Sequence, residues 1–165
     1  MLSINRDTEK EILISDYPSV ILNDDGWRLA DIIEQILKEI GPAEVQISTF
    51  SVDEYSLRVL YNLVHDKRIT KLSCIFDYKT ARFKADLMYF CQNVTPNVYL
   101  TKNHSKIITI KNPAFTVTII TSANFNSQKR FESYVFTESE FIYRNIDKKF
   151  KEMMSNAVLL NFDES

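Results

Sequence analysis

Residues 97–124 read NVYLTKNHSKIITIKNPAFTVTIITSAN. Three runs within them, 97–101, 104–111 and 115–121, are rich in Val, Ile and Thr and are expected to be strands. The links between the runs are short, so antiparallel pairs are expected here. Lys111-Asn112-Pro113-Ala114 is the hairpin-like link. Residues two apart in a strand share a face, so His104 and Lys106 point the same way, with Ile108 and Ile110 following on that face. Sixteen residues after Lys106, at the end of the next strand, stands Ser122-Ala123-Asn124. The hairpin makes the two short motifs neighbours. An imidazole, an ammonium, a hydroxyl and an amide then surround one point. That set suits a phosphate: three donors hold the oxygens, and one ring nitrogen is available to attack phosphorus.

Upstream, the pattern alternates. Residues 10–15 and 18–22 are short apolar runs, expected as strands or a hairpin at an edge. Asn23-Asp24-Asp25-Gly26 is turn chemistry with a carboxylate available as an N-cap. From Trp27, Leu29, Ile32, Ile33, Ile36, Leu37 and Ile40 follow helical spacing until Gly41-Pro42 stops it. Residues 44–50 alternate as a strand. Ser51 to Glu54 has capping-box spacing, and Leu57, Leu60, Leu63 and Val64 follow on one helical face. A strand is expected over 70–78, and a helix over about 81–91 capped by Thr80. Farther on come a strand over 133–137 and a helix over 138–153 with Ile142, Ile146, Phe150 and Met153 inward. The spacing thus predicts an α/β fold: one domain over 1–165, with a mixed, mostly parallel sheet flanked by helices on both faces.

Composition narrows the function. The chain has 165 residues, 45% of them hydrophobic and 25% charged, which is ordinary globular usage. Two glycines, Gly26 and Gly41, exclude glycine-rich phosphate loops. Two histidines, His65 and His104, exclude a multi-histidine metal cage. Cys74 and Cys91 form no C-x-x-C pair, so a structural zinc site is not expected, and nothing in the composition calls for a cofactor. Isolated cysteines, a charged N-terminus without an apolar core, and a longest charge-free stretch (Asn112 to Gln128) broken by polar residues point to a cytoplasmic chain without stable membrane association. The chain carries a formal charge of −2, but residues 97–131 hold Lys102, Lys106, Lys111, Lys129 and Arg130 and no carboxylate, a local +5. That stretch favours an anionic ligand.

These motifs resemble the phospholipase D superfamily, whose signature is H-x-K-x4-D followed by G-S-x-N. The matching text is His104-Ser-Lys106 and Thr121-Ser122-Ala-Asn124, and the strand–helix order extends the resemblance over roughly residues 27–153. Glu132, opening the run Glu132-Ser133-Tyr134-Val135-Phe136, is similar to the family's acidic residue that orients the histidine. Two positions depart from the pattern: Lys111 stands in place of the motif aspartate and Thr121 in place of the glycine.

The resemblance implies a metal-independent phosphodiesterase with a phosphohistidine intermediate, carried by His104, Lys106, Ser122, Asn124 and Glu132. The family brings two such motifs to one active site. His65-Asp66-Lys67 matches H-x-K, but it ends a helix and no S-x-N follows before the His104 motif. The second histidine is therefore expected from a second copy of the chain, in a homodimer. Nucleic acid is the expected substrate, with Lys79, Arg82, Lys102 and Lys129 contacting it. Tyr78, Lys79, Arg82, Phe83 and Lys84 mix rings and cations, which fits either a solvated helix start or a surface for a nucleic-acid strand. Two alternatives stand beside this reading. One is a non-catalytic nucleic-acid or anion-binding module, motivated by Lys111 and Thr121. The other is a lipid phospholipase, which the absence of a basic amphipathic helix disfavours.

Overall fold

A computed structural model describes residues 1–5, 11–23, 26–126 and 129–162. The chain opens with a two-stranded antiparallel ribbon, β1 (Leu2–Asn5) and β2 (Glu11–Ile14). The elements that follow are β3 (Ser19–Asn23), α1 (Leu29–Ile40), β4 (Ala43–Thr49), α2 (Glu54–His65), β5 (Ile69–Asp77), α3 (Tyr78–Phe83), α4 (Ala85–Val94) and β6 (Val98–Thr101). The last are β7 (Ile107–Lys111), β8 (Thr116–Thr121), β9 (Glu132–Thr137), α5 (Glu140–Asn156) and β10 (Val158–Leu159). Eight strands form the main sheet in the order β10-β6-β5-β4-β7-β8-β9-β3.

The expected α/β architecture is present: a mixed sheet with helices on both faces. The balance of directions needs correction. Among the described strands of this sheet only β4–β5 and β5–β6 pair in parallel; the other five neighbouring pairs are antiparallel. Helical crossovers, which parallel neighbours need, join β4 to β5 and β5 to β6, whereas β7 and β8 join by a tight turn. Asn112 fixes that turn by accepting from the backbone N–H groups of Ala114 and Phe115.

One face of the sheet carries the apolar core. Val45, Ile47, Leu72, Cys74, Phe76, Ile108, Ile110, Val117, Ile119, Tyr134 and Phe136 meet the inner stripes of α1, α2 and α4. The stripe of α1 is the one its spacing predicts, with Ile32, Ile33 and Ile36 wholly buried. The opposite face is more polar. Gln46, Thr109, Thr118 and Thr137 lie on one row of directly paired residues, and α5 crosses them, with the Gln46 amide donating to Asp147 at 2.9 Å. Helix α5 buries Tyr143 and Phe150, while Ile142, Ile146 and Met153, expected inward, are only half-buried.

Several local expectations shift by a few residues. Asp53, not Ser51, caps α2 by accepting from Ser56 N–H at 2.8 Å. Asp77 caps α3, while the Thr80 hydroxyl donates to the Phe50 carbonyl. The single helix expected from 81 breaks at Lys84 into α3 and α4. Helix α1 begins at Leu29 without a side-chain cap; the expected capping carboxylates, Asp24 and Asp25, lie outside the described residues. The runs at 10–15 and 18–22 do not form one hairpin: β2 pairs with β1, and β3 pairs with β9. Among the described residues no helix is long and apolar enough to cross a membrane.

Candidate functional site

Antiparallel pairing places the start of β7 beside the end of β8, with Ile107 opposite Ile120. One further bond extends the ladder: Thr121 N–H donates to the Lys106 carbonyl at 3.1 Å. The two sequence motifs therefore meet at one end of the sheet. Residues 104–106 precede β7 rather than belonging to it, yet the two basic groups converge as expected. The Lys106 ammonium lies 3.0 Å from the His104 carbonyl oxygen and 3.4 Å from its ring Nδ1. The His104 ring is exposed on one side and packs at 5.2 Å, centroid to centroid, on Phe50. Burial lowers the pKa of the Lys106 ammonium; the Glu132 carboxylate opposes that shift and the Arg130 guanidinium adds to it.

Ser122 and Glu132 complete the cluster from the neighbouring strands. The Ser122 hydroxyl donates to one Glu132 oxygen and accepts from Ser133 N–H at 3.0 Å. The other Glu132 oxygen accepts from Arg130 Nε at 2.5 Å. Glu132 is buried, so both of its oxygens need such donors. In this chain the two Glu132 oxygens are engaged by Ser122 and Arg130. Asn124 Oδ1 is buried at the same end of β8 with no hydrogen-bond partner among the described residues.

Two residues that the motif reading missed support the histidine from beneath. Asn103 is buried, and its amide donates to Ser48 Oγ at 2.9 Å and to the Ile75 carbonyl at 3.1 Å. Its oxygen accepts from the backbone and hydroxyl of Ser105. Asp77 accepts from Asn103 N–H at 3.0 Å and from Lys79 N–H at 2.8 Å. Burial pushes the Asp77 pKa up, but these two backbone donors and the Lys79 and His104 charges outweigh it, so the carboxyl sits below its usual range. His104 is thus flanked by two residues, Asn103 and Ser105, that are pinned to β4 and β5. Neither Asn103 nor Asp77 belongs to a local pattern; the only sequence signal was their turn-forming chemistry at strand ends.

The cations expected to meet substrate gather at the same end. Lys79 and Arg82 project from α3, which starts where β5 ends, Lys102 follows β6, and Lys129 precedes Arg130; all four are exposed. Lys84 is engaged instead, donating to Ser51 Oγ at 3.0 Å and the Val52 carbonyl at 2.8 Å. His65 closes α2, exposed beside Asp66 and stacked with Tyr61, and takes no part in the cluster. Among the described residues no group of three His, Cys, Asp or Glu side chains is arranged to hold a metal ion.

Both departures from the signature have a structural account. Thr121 does not occupy a positive-φ conformation that would demand glycine. Its hydroxyl donates to the Ser133 carbonyl at 2.7 Å and accepts from Ala123 N–H at 3.0 Å. Lys111 ends β7 at the opposite end from His104, with its ammonium 4.8 Å from the centre of the Tyr143 ring. It lines a cavity of about 620 Å3 together with Glu44, Gln46, Lys71, Asp147 and Lys151.

Comparison with solved structures gives likenesses over most of this chain. NucT from Helicobacter pylori superposes with a TM-score of 0.65 at 18% identity, over 87% of this chain and 100% of that one. A phospholipase D family member, Nuc from Salmonella typhimurium, gives 0.63 at 13% identity, over 88% and 100%. Polyphosphate kinase from Porphyromonas gingivalis gives 0.63 at 12% identity, over 89% of this chain but 27% of that one. No family model matches the chain, and no curated protein matches it. At these identities the likeness establishes a common fold.

Proposed function

On a chain that carries the phospholipase D fold, we propose a metal-independent phosphodiesterase, a nuclease, that works through a phosphohistidine at a site shared by two protomers. The observation that carries this reading is the meeting of the two motifs: an exposed His104 imidazole, with Lys106 Nζ 3.4 Å from its Nδ1, beside a Ser122 hydroxyl locked by buried Glu132. A ring nitrogen of His104 attacks phosphorus, and the bond from phosphorus to the leaving oxygen breaks. His104 of the partner protomer donates a proton to that oxygen. The same partner histidine then takes a proton from water, whose oxygen displaces the His104 nitrogen and releases the phosphate product. Lys106 and Asn124 hold the non-bridging oxygens as charge develops; the Ser122 hydroxyl, whose one proton goes to Glu132 in the free chain, joins them by turning toward the phosphate.

The partnership rests on the single suitable histidine per chain. It is supported by Val20, Leu22 and Ile120, apolar side chains exposed on the sheet face beside the site, and by exposed Phe131. A cytoplasmic setting belongs to the same reading and is supported by two buried, free thiols, Cys74 and Cys91. The purely binding alternative was motivated by Lys111 and Thr121, and neither removes a group from the cluster.

The test is hydrolysis of a bis-aryl phosphodiester by the purified chain. His104→Ala is expected to lower turnover by more than about 1,000-fold, while EDTA leaves it unchanged, and the active species is expected to size as a dimer. Wild-type-like turnover by His104→Ala, or full activity in a strict monomer, overturns the proposal.

A further inference from the structure

Beside the site lies a surface with a chemistry of its own. Helix α3 exposes two aromatic rings, Tyr78 at 46% and Phe83 at 75%. Between them stand the exposed cations Lys79 and Arg82, and the Arg82 guanidinium lies 5.6 Å from the centre of the Phe83 ring. Exposed Lys102 follows the neighbouring strand. The surface is joined to His104 by contacts, not only by proximity. Thr80 of α3 donates to the Phe50 carbonyl, Lys84 holds Ser51 and Val52, and the Phe50 ring packs on that of His104.

A folded chain gains little from holding large rings in water beside cations that, among the described residues, form no ion pair. Together these groups match a polyanion that also offers flat apolar faces. Only unpaired bases offer those faces; in a duplex they are stacked on one another and closed to a protein ring. A membrane surface fits less well, because α3 has six residues and cannot present an extended apolar face between flanking cations.

We infer that α3 and Lys102 form a binding track for single-stranded nucleic acid, which stacks unpaired bases on Tyr78 and Phe83 and leads the backbone phosphates to His104. The inference rests on the phosphodiesterase reading for what happens at the end of the track, but binding itself does not require turnover. Stacking tolerates any base, so the track selects strandedness rather than sequence.

The test uses full-length chain carrying His104→Asn, to prevent cleavage, with a fluorescein-labelled oligothymidylate and a duplex of equal length. The single strand is expected to bind at least about tenfold tighter than the duplex. The double variant Tyr78→Ala/Phe83→Ala is expected to weaken it by at least about tenfold, with the salt dependence unchanged. Both rings are exposed, so the fold should survive; Phe83→Trp, which keeps a ring, should retain affinity. Equal or tighter duplex binding overturns the inference. So does a double variant within twofold of its parent, or one that loses binding to phosphatidylglycerol vesicles rather than to the oligonucleotide. Failure of the two readings is distinguishable. Tight single-strand binding with no phosphodiester hydrolysis by the wild type removes the enzyme reading alone. Hydrolysis of the small phosphodiester without single-strand preference removes the track alone.

Discussion

Lysines flank both ends of β7: Lys106 immediately precedes it and Lys111 closes it. The first shares a partly buried cluster with His104, and its ammonium is aimed at the imidazole while remaining within reach of a ligand. The second lies over the Tyr143 ring, directly opposite Glu44 across the β4–β7 ladder and near Asp147. The same side chain at the two ends of one strand thus meets an imidazole at one end and a packed aromatic at the other. What separates them is the company each keeps. Loops that carry motif residues converge at the first end, whereas α5 covers the second.

The largest effect expected from this contrast is catalytic. Lys106→Ala should lower kcat for a phosphodiester by about 100- to 1,000-fold, as removal of a charged donor from a transition state does. Lys111→Ala should stay within about threefold. Comparable losses in the two variants, measured at matched folded fraction, would break the distinction.

The sequence made the cluster legible because its parts are local. His104 and Lys106 are two residues apart, Ser122 and Asn124 likewise, and one short turn brings them together. The apolar spacing of α1 and the alternation of β4 were equally plain. What escaped depended on distant partners. Ser51 and Thr80 looked like caps, but Ser51 is met by Lys84 and Thr80 reaches the Phe50 carbonyl, and adjacent carboxylates took the capping positions. Asn103 organises the histidine loop through Ser48 and Ile75, contacts no local pattern could reveal. Glu132 was legible as an acid at a strand start but its partners were not: Ser122 takes one of its oxygens and Arg130 the other. The break at Lys84 carries no Gly or Pro to announce it.

A smaller effect, on stability, follows from placing the signature's aspartate at position 111. Lys111→Asp would lose the cation over Tyr143 and set a carboxylate directly opposite Glu44, near Asp147. Like charges facing each other across a ladder and the lost cation–π contact together cost about 2 kcal/mol, or roughly 4–8 °C in melting temperature for a chain of this size. Turnover per folded molecule should be retained. A more stable or more active Lys111→Asp chain would show that the far end serves the reaction after all.

The smallest effect separates two aspartates whose pKa values are lowered for similar reasons. Burial raises both. At Asp77 it is outweighed by the backbone donors Lys79 and Asn103, and at Asp147 by hydrogen bonds from Lys151 and Gln46. A carboxyl with a lower pKa in the folded state contributes stability that is present above its unfolded value. That stability is lost as pH falls through the folded one. Asp77→Asn and Asp147→Asn should therefore each lower the melting temperature by a few degrees at pH 7, and the difference from wild type should shrink below about pH 4. The two variants should part in kinetics. Asp77 holds the backbone of Asn103, whose amide fixes the loop before His104, so Asp77→Asn should lower kcat several-fold with little change in KM. Asp147→Asn, at the end occupied by Lys111, should not. A kcat loss in both would mean that the two ends are mechanically coupled through β7; a loss in neither would mean that Ser48 and Ile75 hold Asn103 without help.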